Sequence, residues 1–121
     1  IAIGDGTLYS ASSGNHNTAV GHSALTTNAT GSSNVGIGYK AGAYELGSNA
    51  LYIDNRDRTN TAGDKANAII YGVMAATPAN QHLTFNVADV TVPALKAPVG
   101  TVWFVCIDDQ GHLFSQAVVC Q

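Results

Sequence analysis

The chain has 121 residues and a formal charge of −3, with charged side chains at only 11% of positions against roughly 25% in an average soluble domain. Gly, Ala, Ser, Thr and Asn fill about half of it, and bulky groups are few: one Trp, one Met, three Phe and five Tyr. This balance excludes a basic nucleic-acid surface, and the longest apolar run, Val102 to Ile107, is far too short to cross a membrane as a helix.

The organising feature from the first residue onward is a repeat. Ile1-Ala2-Ile3-Gly4, Thr18-Ala19-Val20-Gly21 and Val35-Gly36-Ile37-Gly38 align without gaps at a period of 17, with Asn17 on Asn34, Gly14 on Gly31 and Leu8 on Leu25. A fourth, degenerate copy, Ser48-Asn49-Ala50-Leu51-Tyr52-Ile53, falls two residues early. Each unit predicts a polar turn, a short strand, a glycine corner and a second, weaker strand. So short a strand cannot bury itself alone. Stacking successive units would let the ladder run between them, with Ile3, Val20 and Ile37 forming one column inside and Ala2, Ala19 and Gly36 as small neighbours in a narrow coil. Tyr9, Tyr39 and Tyr44 are expected at exposed corners. The Asn28-Ala29-Thr30 sequon is expected to be idle.

The strings Asn17-Thr18-Ala19-Val20-Gly21-His22-Ser23-Ala24-Leu25 and Thr30-Gly31-Ser32-Ser33-Asn34-Val35-Gly36-Ile37-Gly38-Tyr39-Lys40-Ala41-Gly42 resemble the head repeats of trimeric fibres. These occur in trimeric autotransporter adhesins, phage tail fibres and the adhesive surface fibres of predatory bacteria. The resemblance implies a left-handed parallel β-roll over residues 1–53 and a homotrimer of such rolls around a threefold axis.

Residues 54–67 break the repeat. Six of the thirteen charged residues lie between Asp54 and Lys65, which predicts a solvated connecting loop. Ala66 to Tyr71 returns to strand character, ended by Gly72. Leu83-Thr84-Phe85-Asn86-Val87 alternates strictly, as a half-buried strand does. Residues 68–121 are therefore expected to form a β-rich tip, punctuated by Pro78, Pro93 and Pro98. Its clearest element is a hairpin, with Thr101 to Ile107 as one strand, a turn at Asp108-Asp109-Gln110-Gly111, and a return from His112 to Val119.

Val105-Cys106-Ile107-Asp108, Leu113 and Cys120 resemble the sequence preceding the self-cleaving intramolecular chaperone of tail fibres. That implies a mature fibre tip ending at Gln121. Within the hairpin Cys106 would lie near Leu113, so a bridge to Cys120 requires the end of the chain to fold back or a neighbouring chain to supply the partner. A disulfide is expected between them, with two buried free thiols as the alternative.

The remaining chemistry is thin. Gly21-His22-Ser23-Ala24-Leu25 approaches the nucleophile elbow, but ends on Leu and predicts no following helix. Gly36-Ile37-Gly38-Tyr39-Lys40-Ala41-Gly42 is one residue off the dinucleotide fingerprint and has no βαβ setting. His16, His22, His82 and His112 have no metal-ligand spacing, Asp54 to Asp64 lacks the calcium-loop pattern, and no two carboxylates form a glycosidase pair. No catalytic residue, cofactor or metal is therefore expected. The candidate ligand surface is Arg56, Arg58, Tyr71, His82, Trp103 and His112, aromatic or planar groups in the half that would form the tip; for Tyr71 and Trp103 burial in the core is the stronger expectation.

The sequence thus predicts an all-β protein, a short left-handed parallel β-roll followed by a strand-rich tip in an intertwined homotrimer. The expected function is non-enzymatic adhesion to a glycan or other cell-surface partner of a host or prey cell, at an extracellular surface or on a virion fibre. Alternatives are a purely structural spacer and a tailspike-like polysaccharide-degrading enzyme.

Overall fold

The computed structural model describes residues 1–90 and the backbone of residues 104–107 and 113–116. The chain divides into two compact units, Ile1–Val87 and Ala88–Gln121. The first is β-rich, built on one six-stranded mixed sheet in chain order. Its strands are β1 (Ala2–Ile3), β2 (Thr18–Val20), β3 (Val35–Ile37), β4 (Ala50–Ile53), β5 (Ile70–Val73) and β6 (His82–Phe85). β1 to β4 run parallel; β5 and β6 join antiparallel. A helix, α1 (Thr61–Asn67), separates β4 from β5. In the second unit β7 (Phe104–Ile107) pairs with β8 (Leu113–Gln116) as the expected hairpin, with Cys106 opposite Phe114.

The repeat sets the register. Ala2 pairs with Ala19 and Ala19 with Gly36, the ungapped period of 17, and Gly36 then pairs with Tyr52. The fourth copy is therefore one residue early rather than two. The lost residue falls between Ala43 and Gly47: Thr27 N–H reaches Ala43 O at the same spacing of 16 as Ser10 N–H to Thr26 O, whereas Asn34 Nδ2 reaches Gly47 O at 13 where Asn17 Nδ2 reaches Gly31 O at 14. The coils also stack away from the sheet. Leu8 N–H donates to Ala24 O and Leu25 N–H to Ala41 O, both at 3.1 Å, and Thr27 N–H to Ala43 O at 3.1 Å.

Buried asparagines tie the corners together. Asn17 Oδ1 accepts the Asn34 N–H at 2.9 Å while its Nδ2 donates to Gly31 O at 2.8 Å. Asn34 repeats both bonds one coil on, to the Ala50 N–H and Gly47 O. An asparagine side chain carries one acceptor and two donors, so it can serve two coils at once. Close coil approach also dictates glycine, because a Cβ on Gly31 would lie 1.8 Å from Gly47 O.

The interior is narrow, and its filling corrects the expected column. Ala19, Gly36 and Tyr52 point inward and are buried, whereas Ile3 and Ile37 are 59% and 42% exposed and Val20 is half-buried. Strand neighbours point to opposite faces, so only one of the two columns can be internal. Leu25 and Tyr52 already occupy the space: a Cβ on Gly36 would meet Leu25 Cγ at 2.9 Å, and one on Gly42 would meet Tyr52 at 2.6 Å. Only Ala or Gly fits opposite them. The large aliphatic residues are displaced to the outer face.

Two further expectations are corrected. β6 is exposed along its whole length instead of half-buried. The segment 54–67 is not a solvated loop throughout: Asp54 and Asp64 are 5% and 1% exposed, and α1 forms with Asn60 as its cap, Asn60 Oδ1 accepting the Gly63 N–H at 2.8 Å. α1 lies where a further coil would continue the ladder. Asp64 Oδ2 accepts the Tyr44 N–H at 2.9 Å, and the Thr61 hydroxyl donates to Tyr44 O. Side chains of α1 thus take the place of backbone groups and close this end, as stacked repeats require. At the opposite end β1 is an open edge of the sheet.

Candidate functional site

The outer face of the sheet follows from that inversion. Ile3, Val20, Ile37, Ile53, Ile70 and Phe85 are register partners across all six strands and form one uninterrupted apolar row. A parallel row, Val35, Leu51, Gly72 and Leu83, runs beside it. Six strands at about 4.8 Å spacing make the main row some 24 Å long. No charge interrupts it, and Ile3, Ile37, Ile53 and Phe85 are each exposed by more than a third. A contiguous exposed apolar surface of this kind marks an association site far more often than scattered exposed side chains do.

At the β5–β6 end of this face lies a groove of about 300 Å³, lined by Leu51, Gly72, Val73, Met74, Gln81, His82 and Leu83. It holds one expected site residue, His82, which is exposed. Tyr71 is elsewhere: it points inward, half-buried, its ring centroid 5.2 Å from that of Tyr52. The core expectation for Tyr71 is the one observed, so it does not join His82 in a ligand surface.

Arg56 and Arg58 separate as well. Arg56 is exposed, while Arg58 turns in to clamp Asp54 with both Nε and Nη2, the latter at 2.8 Å from Oδ1. This bidentate pair raises the Arg58 pKa and makes the residue structural. Trp103, His112 and Cys120 lie outside the described residues, as does the side chain of Cys106, and with them the disulfide.

Beneath α1 the described residues hold a buried polar cluster that sequence reasoning missed. Tyr52 Oη donates to Glu45 Oε2, Glu45 Oε1 accepts the Gly47 N–H at 2.7 Å, and Lys65 Nζ lies 3.4 Å from Glu45 Oε2. Burial alone would push Glu45 up, but the Tyr52 hydroxyl, the Gly47 N–H and Lys65 outweigh it and hold its carboxyl below the usual range. Burial and the Glu45 carboxylate push the Tyr52 phenol up. Asp64 behaves oppositely. Burial, opposed by the Tyr44 N–H and helped by the nearby carboxylates of Glu45, Asp54 and Asp57, raises its pKa to about 6, and its Oδ1 has no hydrogen-bond partner. At the surface, Asp57 is held down to about 2 by Lys40 Nζ at 2.5 Å, the Thr59 N–H and the Tyr44 hydroxyl. One signal for the cluster was available: Glu45 is one of only two acids in the first 53 residues.

Among the described residues no group of three or more His, Cys, Asp or Glu is placed to hold a metal ion. Asn28 of the sequon is fully buried and donates to Glu45 O and Gly47 O, so no glycan can be attached there in the folded chain. None of the described helices is long and apolar enough to cross a membrane. The chain matches no protein-family model, and neither the curated proteins nor the solved structures contain a significant match to it.

Proposed function

We propose that this chain is part of a non-enzymatic, homotrimeric adhesive fibre displayed outside the cell or on a virion, in which residues 1–53 form a left-handed parallel β-roll and the assembly recognises a glycan or other cell-surface ligand. The observation that carries this reading is the apolar row from Ile3 to Phe85. It spans every strand of the sheet, bears no charge and faces outward. A chain this short, with so few bulky side chains, gains most by burying such a face against copies of itself. The resemblance of residues 17–42 to trimeric head repeats supplies the threefold stoichiometry. Three copies also multiply a weak single-site affinity into useful avidity.

The test is molar mass by light scattering after size exclusion. A trimer of 12.4 kDa chains gives about 37 kDa, and Ile37→Asp, which places a charge in the middle of the row, is expected to return it to 12.4 kDa. A wild-type protein that is monomeric at high concentration refutes the reading.

A further inference from the structure

The corner that follows each strand carries a second, lateral column that the fibre reading does not use. Asp5, His22 and Tyr39 occupy equivalent positions of three successive coils. We propose that the His22–Tyr39 ring pair, flanked by Asp5 on one side and by Lys40 and Asp57 on the other, is a binding site for a neutral pyranose sugar, which rests on the adhesive reading and names its ligand class. The two rings lie 5.7 Å apart between centroids with their planes 34° apart, and both side chains remain exposed. A tilted pair of this kind is a shallow apolar platform about one sugar ring wide, and the weakly positive C–H face of a pyranose complements the negative faces of aromatic rings.

The polar groups around the platform have identifiable partners, although the Asp5 side chain is 92% exposed. His22 Nε2 lies 3.3 Å from Asp5 Oδ2. Lys40 Nζ sits 5.7 Å from the Tyr39 centroid and pairs with Asp57, whose other oxygen accepts the Tyr44 hydroxyl at 2.9 Å. The backbone is pinned too, with Lys40 N–H on His22 O and Tyr39 N–H on Asn55 Oδ1, both at 2.9 Å. Lys40 adopts a left-handed conformation at φ +54°, where the first coil has Gly6 at φ +64°. Ser23 at φ +56° holds the same conformation at the equivalent corner of the second coil, so the repeat itself fixes the backbone that carries Lys40. Carboxylates at both ends accept sugar hydroxyls, and two of them against one amine disfavour a sugar that is itself anionic. A few convergent polar groups around an apolar floor is the usual composition of a small-ligand site.

The experiment uses the full chain with lactose, cellotetraose, chitotetraose and, as the anionic control, sialyllactose. Saturation-transfer NMR detects contact with the sugar, and the ring resonances of His22 and Tyr39 report its place. At least one neutral sugar is expected to shift both rings. Tyr39→Ala is expected to weaken binding about tenfold or more, the mark of an aromatic anchor, whereas Tyr39→Phe keeps it. Should Tyr39→Ala fail to fold, the wild-type ring shifts decide. The proposal is overturned if no neutral sugar moves those resonances at millimolar concentration, if only sialyllactose does, or if binding survives Tyr39→Ala unchanged. A trimer without this binding removes the site and leaves the fibre; a monomer that binds sugar through Tyr39 removes the fibre and leaves the site.

Discussion

Asp64 offers the sharpest quantitative test of how α1 closes the stack. Its carboxyl is 1% exposed, uses one oxygen to accept the Tyr44 N–H, and leaves the other without a partner among three neighbouring carboxylates. Its pKa rises from 3.8 to about 6 on folding. A carboxyl whose folded pKa exceeds its unfolded one binds its proton more tightly in the native state. Its contribution is therefore most favourable below pH 4 and is lost as pH climbs through 6. About two pKa units correspond to about 3 kcal/mol of stability, complete only below the unfolded value of 3.8, of which about 2.5 kcal/mol is present at pH 4 and nearly none at pH 7. Asp64→Asn keeps an acceptor for Tyr44 and abolishes the titration. Glu45 and Asp57 titrate the other way, with lowered folded pKa values and stability lost toward acid, so the difference between variant and wild type isolates Asp64. Urea unfolding followed by circular dichroism at pH 4, 5, 6 and 7 measures it. The stability of Asp64→Asn relative to wild type should improve by about 2.5 kcal/mol from the lowest to the highest pH, most of it between pH 4 and 6. Parallel pH profiles for the two proteins would falsify the buried-carboxylate argument.

Other perturbations test the stacking itself. Asn34→Ala removes two side-chain bonds and orphans the buried Ala50 N–H, while Gly47 O keeps the bond from Asn28 Nδ2; a loss of about 1–3 kcal/mol is expected in urea unfolding, and an unchanged stability would mean that water replaces the side chain. Gly38→Ala puts a Cβ 1.9 Å from Asp54 O at φ +109°, so the variant should lose more than about 3 kcal/mol or fail to fold, seen as a drop in Tm or in soluble yield. Leu25→Ala empties a fully buried position against Gly36 and Gly42, whose backbone cannot collapse inward; about 3–5 kcal/mol is expected, and an unchanged Tm refutes the packing assigned to Leu25.

Much of the strand register was legible because it needs only self-similarity. The ungapped match of Ala2, Ala19 and Gly36 is the register observed, and the glycines that close coil approach demands stand in the same frame. Which face looks inward was not legible. In Val35-Gly36-Ile37 the usual rule buries the large residues, but here the interior belongs to Leu25, which arrives from another wall of the coil, and to Tyr52, which stands beside Gly36 on the next strand. That assignment depends on volume shared between segments far apart in sequence. The burial of Asp54 and Asp64 was hidden for a related reason. A run rich in Asp and Arg predicts solvation, and only the open Tyr44 backbone opposite α1 gives Asp64 something to satisfy. Of the six expected ligand residues, Arg58 and Tyr71 serve the interior, whereas the exposed ring pair at His22 and Tyr39 lies in the repeats, where periodicity alone made those side chains look like corner filling.

The asymmetry of the two ends of the stack has a consequence for length. One end is terminated by groups that mimic a coil without being one, so nothing can be appended there without dismantling α1. The β1 edge makes no such demand: its N–H and C=O groups offer the same pattern to any incoming unit of the repeat. Units can therefore be gained or lost on that side in steps of 17 residues, each lengthening the rod by about 4.8 Å, while every contact at the closed end stays as it is. Such a molecule is a ruler with one fixed end, whose reach is adjustable by duplication alone.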